Sequence, residues 1–294
     1  MLTTVINYCT NDYRFLDICI QEAKKFSKEI VIPVCDHFFD GMPENRKLLE
    51  HSYAEHPDVQ FVEFTFDKEP YGLYARITEE DPDWAHYWHS TARYVGYQFA
   101  SSEHVLFIDV DEIADGDRML AWLTHFPYEE WDGIRLTSSF YFREARFLAK
   151  KSMMNGLLVK KGALPTELLL DIHERKGTFH SLSGERLEGV SGLDGEPLFH
   201  HYSWVKTKEE MHRKVSSWGH RFDKDWHTLI EQEFAHPFTL RDQFWGFDYQ
   251  EVTPFKDPLL VKIPEEFRPN PFPNVVKVNR ETLQQRIIQG LYQK

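Results

Sequence analysis

The segment VLFIDVDEIADG, Val105 to Gly116, constrains this chain more than any other. Four apolar residues suited to a buried strand run straight into Asp109, Asp111 and Glu112, with only Val110 between the first two. Desolvated carboxylates are costly unless something cationic neutralises them, so the strand must end at a crevice that holds a cation or at a helix that needs capping. Side chains alternate along a strand, which turns Asp109 and Asp111 to one side and Val110 to the other. In open α/β sheets ligands bind beyond the carboxyl ends of the strands. Two converging hard-oxygen ligands suit Mg²⁺ or Mn²⁺, completed by water and substrate phosphates. The competing reading is that the acids between Asp111 and Asp117 cap the next helix through its N-terminal amides.

The residues before this segment alternate between strand and helix patterns. TTVINYC reads as a first strand, and YRFLDICIQEAKKFS sets Phe15, Ile18, Cys19, Glu22 and Phe26 at near-helical spacing. EIVIPVC is a second strand ending on Asp36, followed by a helix from Pro43 to Ala54 and a third strand, VQFVEFTF. Lys68 to Pro82 reads as a loop, and Trp88, Ala92, Val95 and Phe99 then mark one face of a helix leading into the acidic strand, the fourth. The pattern predicts an α/β fold: a Rossmann-like, mostly parallel central sheet flanked by helices.

Composition narrows the partners. With 34 Lys+Arg against 47 Asp+Glu the net charge is −13, and no basic run exists, which excludes nucleic acid and an anionic bilayer as expected partners. Cys9, Cys19 and Cys35 are odd in number, lack zinc or redox spacing and read as reduced thiols of a cytoplasmic protein. No transmembrane segment and no signal peptide are expected.

VLFIDVDEI resembles the metal-binding D-x-D segment of nucleotide-sugar-dependent glycosyltransferases of the GT-A fold, in the variant where Glu follows the second Asp. DIHERKGTF and then PLFHHYSWVKTKEEMHRKV are similar, in order and rough spacing, to the His-Glu and later HYS…K elements of inverting family 2 enzymes, such as those building lipopolysaccharide cores. HYSW is also similar to family 17. The resemblance spans about Thr4 to His220, and the first strand departs from the usual family 2 opening. It implies a GT-A-type domain over residues 1–233, a UDP- or GDP-linked sugar donor, a glycan or glycolipid acceptor, and a Mn²⁺ or Mg²⁺ cofactor.

The residues themselves add to this. Thr207 and Glu210 form a capping box ahead of a helix whose apolar face is Met211, Val215, Trp218 and Phe222. His200 and His201 alternate in the strand before it, so at most one faces the crevice; His201 matches the resembling motif and joins Asp109 and Asp111 as the third metal candidate. Lys214 and Arg93 are candidates for the diphosphate. Tyr8, Thr10 and Asp36, at the ends of the first two strands, are candidates for the nucleotide, Asp36 because a carboxylate accepts from a pyrimidine N–H. An inverting transfer needs a carboxylate to take the acceptor proton; the resemblance gives that role to Glu174, with Asp171 in reserve, against a salt bridge from Glu174 to Arg175 or Lys176. Residues 234–294, rich in Pro and aromatics, are expected to pack on the same domain, ending in a helix from Arg280 to Tyr292. Trp218, Trp226 and Trp245 are candidate sugar platforms, with core filling as the alternative.

Three rivals remain. A haloacid dehalogenase-type phosphatase uses a D-x-D with the first Asp as nucleophile, usually near the N-terminus and with Thr or Val where this chain has Ile113. A nucleotidyltransferase would show a Gly-rich basic loop, and INYCTNDYR is not one. A non-catalytic carbohydrate-binding protein would keep the aromatics without the metal. No GxGxxG or GxxxxGK loop is present.

Overall fold

The computed structural model describes residues 1–65, 83–170, 173–264 and 274–292. The expected loop from Lys68 to Pro82, like Asp171, lies outside the described residues. The strands are β1 (Leu2–Asn7), β2 (Ser27–Cys35), β3 (Gln60–Phe64), β4 (His104–Asp109), β5 (Glu112–Ala114), β6 (Gly133–Phe142), β7 (Glu144–Ala149), β8 (Met153–Lys160), β9 (Arg186–Val190), β10 (Phe199–Trp204), β11 (Tyr249–Glu251) and β12 (Val275–Val278). The helices are α1 (Tyr13–Lys24), α2 (Arg46–Glu55), α3 (Trp84–Phe99), α4 (Gly116–His125), α5 (Glu174–Ser181), α6 (Lys208–Ser217), α7 (Trp226–Phe234) and α8 (Arg280–Tyr292).

One sheet runs β11-β7-β6-β8-β4-β1-β2-β3-β12, with β9 and β10 also on β6 and β5 on β10. From β12 to β4 every pairing is parallel. From β8 outward the pairing turns mixed: β8 is antiparallel to both β4 and β6. The chain beyond Phe234 adds a strand at each end of the sheet, β11 on β7 and β12 on β3.

Alternation along the strands sorts the core into two layers. Ile6, Ile30, Ile32, Leu106 and Ile108 pack with Phe15, Leu16, Cys19 and Ile20 of α1. Val5, Val31, Val105 and Phe107 pack on the other face with Trp88, Ala92, Val95 and Phe99 of α3, the face expected from sequence. Contact there is close: a Cβ on Gly96 would lie 2.4 Å from Val5 Cγ1, so only glycine lets α3 settle on β1. A third layer, Phe140, Phe142, Trp204, Met211, Val215, Trp226 and Phe244, covers the mixed half. Cys9, Cys19 and Cys35 are all free thiols. Among the described residues no helix is long and apolar enough to cross a membrane.

The strand order places β1 between β2 and β4: the chain leaves β1 for β2 and β3 on one side and then crosses from β3 to β4 on the other. That is where an open sheet forms its crevice. Register puts Asn7 beside Asp109 at the carboxyl ends of β1 and β4.

Candidate functional site

A cleft of about 490 Å³ opens over these strand ends. That is in the usual range of small-ligand sites, roughly 300–1,000 Å³. Its floor includes Asn7, Asp109, Asp111 and Glu112, and its walls bring Glu174 and Arg175 from α5, His86 and His89 from α3, His201 from β10, and Lys214, Trp218 and His220 from α6 and the loop after it.

Helix capping does not explain the floor acids. The N-cap of α4 is Asp115, whose side chain accepts from Arg118 N. Asp109, Asp111 and Glu112 therefore serve something else.

Part of the neutralising cation is built into the chain. Arg175, itself buried, forks onto Glu112: Nη2 donates to Oε1 at 2.7 Å and Nη1 donates to Oε2. The same Nη2 donates to Asp109 Oδ2 at 2.9 Å, and Asp109 Oδ1 faces His89 Nε2 at 3.1 Å. Bidentate guanidinium–carboxylate contacts of this kind are among the stronger polar contacts in a protein. Burial would raise the Asp109 carboxyl, but Arg175 and then His89 outweigh it and hold the group well below the usual carboxylate range. Burial also pushes Glu112 upward, with the neighbouring Asp109 and Asp111 adding to it and Arg175 opposing. The pairing weighed from sequence for Arg175, a salt bridge to Glu174, is not the one formed.

Asp111 is held more loosely. Lys214 Nζ donates to its Oδ2 at a long 3.4 Å, and His201 Nε2 stands 3.7 Å from its Oδ1. The antiparallel register of β10 on β5, His201 opposite Glu112, brings that ring to the cleft, and Tyr202 N donates to Asp111 O at 2.8 Å. Burial pushes His201 down to about 4, leaving a neutral ring at pH 7, and its Nδ1 is buried without a hydrogen-bond partner among the described residues. A carboxylate and a neutral imidazole at this spacing could together hold a Mn²⁺-type ion. His200 faces away, with Tyr141 Oη against its Nδ1 at 2.8 Å and Phe255 stacked on it at 4.3 Å.

Glu174 lines the same cleft and is linked to Asp109 through His89, whose Nε2 meets Asp109 and whose Nδ1 faces Glu174. Its backbone has φ +58°, the left-handed region that a non-glycine residue seldom adopts, at the first residue of α5. Its Oε1 lies 3.4 Å from His86 Nδ1 and 3.6 Å from His89 Nδ1. Burial raises this carboxyl, but His86, His89 and Arg93 together overcome that and hold it well below the usual range.

The remaining candidates divide. Tyr8 and Lys214 line the cleft; Thr10, Asp36 and Arg93 do not. Thr10 donates through both N, at 3.0 Å, and Oγ1 to Glu44. Asp36 pairs with the neighbouring His37 at 2.8 Å. Arg93 is buried one turn behind His89, with Nη2 donating to Ser90 Oγ at 2.8 Å. Trp218 and Trp245 are half-buried on the wall, while Trp226 lines it from a buried position and mainly fills the third core layer.

Sequence reasoning missed Asn7, His86, His89 and His220. Asn7 Oδ1 is a buried acceptor on the cleft floor without a partner among the described residues. His86 and His89 stand three apart on one face of α3, half-buried where their neighbours are buried, and the H-x-x-H spacing in WAHYWHS was the available signal.

No family model and no curated protein sequence matches the chain. Solved structures with a loosely similar arrangement include the bifunctional IspDF of Campylobacter jejuni, with a TM-score of 0.41 and 11% identity over 72% of this chain and 53% of that one. The glycosyltransferase GlyE of Streptococcus pneumoniae TIGR4 gives 0.37 and 12%, over 80% and 63%. S. aureus TarS 1–349 in complex with UDP-GlcNAc gives 0.39 and 13%, over 80% and 72%. The chain thus spans about half of the first and less than two thirds of the second. At such scores the activity has to be argued from the residues of the cleft.

Proposed function

We propose that the protein is a metal-dependent, inverting glycosyltransferase of the GT-A type, similar to family 2, that moves a sugar from a nucleoside diphosphate sugar to a hydroxyl of a glycan or glycolipid. The observation that carries this reading is the loosely held Asp111, flanked by His201 and Lys214 at the β1/β4 crevice, in a cleft of about 490 Å³ that Glu174 also lines.

Asp111 and His201 would hold Mn²⁺ or Mg²⁺, with Asp109 fixed beside them by Arg175 and bearing on the ion less directly. Bound there, the ion supplies positive charge to the departing diphosphate. Lys214 adds a fixed charge on the same side. Its ammonium would be lowered by burial, but Asp111 and Asp12 raise it above the ordinary lysine value, so it stays charged. Asn7 and Tyr8 wall the nucleotide end. Glu174 stays ionised and takes the proton of the acceptor hydroxyl as that oxygen bonds to the anomeric carbon and the carbon–phosphate-oxygen bond breaks; the product is inverted, and nucleoside diphosphate leaves with the bonding pair. The depressed basicity of Glu174 makes it a modest base, so leaving-group stabilisation carries the larger share of the barrier. Trp218 and Trp245 offer ring faces to the acceptor sugar.

The test is a release assay over UDP-, GDP- and dTDP-sugars with Mn²⁺, and the expected result is release from one nucleotide class that stops when the metal is chelated. Glu174→Gln should keep donor affinity and lower transfer by roughly 10²- to 10⁴-fold. Release that is indifferent to metal, or transfer by Glu174→Gln at the wild-type rate, would contradict the reading.

A further inference from the structure

Besides Asp111 and His201, the cleft is lined by a second set of groups that the donor chemistry does not use. Ligand atoms of His86, Glu174 and His220 all lie within 4.8 Å of one another. We propose that these three residues form a separate transition-metal site of the zinc type, and that zinc bound there captures the acceptor-side carboxylate.

Spacing agrees with such a centre. A tetrahedral zinc with bonds of about 2.0–2.1 Å keeps its ligand atoms about 3.3 Å apart. His86 Nδ1 stands 3.4 Å from Glu174 Oε1. That nitrogen is buried, and the contact does not meet hydrogen-bond geometry, so the pair sits at ligand spacing without a bond of its own. The His86 and His220 rings meet edge-on, 4.6 Å apart at 78°, which brings both imidazoles to the same part of the cleft.

His220 is oriented from behind. Its Nδ1 lies 3.0 Å from Asp223 Oδ2, which leaves Nε2 to ligate. A carboxylate on the far nitrogen of a ligating histidine fixes the tautomer and raises its basicity. The approach of the His220 loop depends on Gly219, where a Cβ would fall 2.8 Å from His86 Cε1 and Nδ1. Any side chain there would push His86 and His220 apart. On the third corner, the left-handed backbone of Glu174 holds its carboxylate toward the two rings.

Two imidazoles and one carboxylate are the ligand set of an open zinc site, with a fourth position left for water or a hydroxyl. Mg²⁺, which wants oxygen ligands, is poorly served by it. The proposed sites share no ligand. The effect on transfer rests on the glycosyltransferase reading: zinc on Glu174 denies it the acceptor proton, so zinc should inhibit transfer without displacing the nucleotide.

The test is calorimetric titration of the full chain with Zn²⁺ alone, in the absence of nucleotide. Asp111→Asn should bind zinc at this site as the wild type does, while His86→Ala and His220→Ala should each lose at least about ten-fold in affinity, and Asp223→Asn about ten-fold. Substitution by Co²⁺ should give the visible bands of a four-coordinate ion in the wild type and in Asp111→Asn, and not in His220→Ala. Wild-type zinc affinity in His220→Ala, or loss of zinc binding in Asp111→Asn, would overturn the proposal. Because the titration needs no turnover, it decides the metal site even if no donor is ever transferred.

Discussion

The acidic segment that dominates the sequence resolves into two groups with opposite characters. Glu112 and Asp109 form a closed group: Arg175 reaches both, at 2.7 and 2.9 Å, and His89 takes the last Asp109 oxygen at 3.1 Å. Asp111 forms an open one, with Lys214 Nζ at 3.4 Å and His201 Nε2 at 3.7 Å. Two acids separated by one residue thus do different work. The closed group holds α5 against the strand ends and fixes the cleft, while the open group keeps a carboxylate available to something that arrives.

The comparison breaks most visibly at Arg175. Arg175→Met should cost about 3–5 kcal/mol, because it leaves the fully buried Glu112 without its cation and takes the guanidinium from the half-buried Asp109. Urea denaturation measures it, and the double variant Glu112→Gln/Arg175→Met should regain part of the loss; a single variant as stable as wild type would mean that the group is not closed. Lys214→Met probes the open group and should change stability little. It should weaken nucleotide binding by about 1.5–3 kcal/mol, the scale of a hydrogen bond to a charged group, as read by calorimetry in Mn²⁺. The smallest effect belongs to the acid that serves neither group. Asp115→Ala removes the N-cap of α4 and should cost about 1 kcal/mol of stability with nucleotide binding unchanged; altered binding would reopen the capping explanation for the whole segment.

The parallel half of the sheet was legible because its strands and helices alternate with strong periodicity. The apolar face from Trp88 to Phe99, the strand that ends in Asp109 and the capping box of Thr207 and Glu210 all stand as read. The hairpin strands β6, β7 and β8 were not legible. Much of β6 and β8 is buried on both faces, so GIRLTSSFYF and MMNGLLVK show no clean alternation to separate them from other apolar runs. In the site, strand alternation allows only one of two adjacent histidines to face inward without saying which, and it was the motif resemblance that pointed to His201. Arg175 could not be assigned to Glu112, since the partners lie 63 residues apart and only the packing of α5 unites them. Arg93 shows the same limit from the other side: helical periodicity places it near His89, but the depth of α3 decides that it is buried behind the cleft rather than exposed in it.

Asp111, and not Asp109, is proposed as the main protein carboxylate for the metal that carries the nucleotide. Calorimetric titration of UDP, GDP and dTDP into the wild type, Asp111→Asn and Asp109→Asn, each with and without Mn²⁺, tests it most directly. The account predicts Mn²⁺-dependent binding of one nucleotide by the wild type, its loss in Asp111→Asn with the fold intact, and a weaker but still Mn²⁺-dependent binding in Asp109→Asn. Nucleotide affinity in Asp111→Asn that equals the wild type in Mn²⁺ would contradict it.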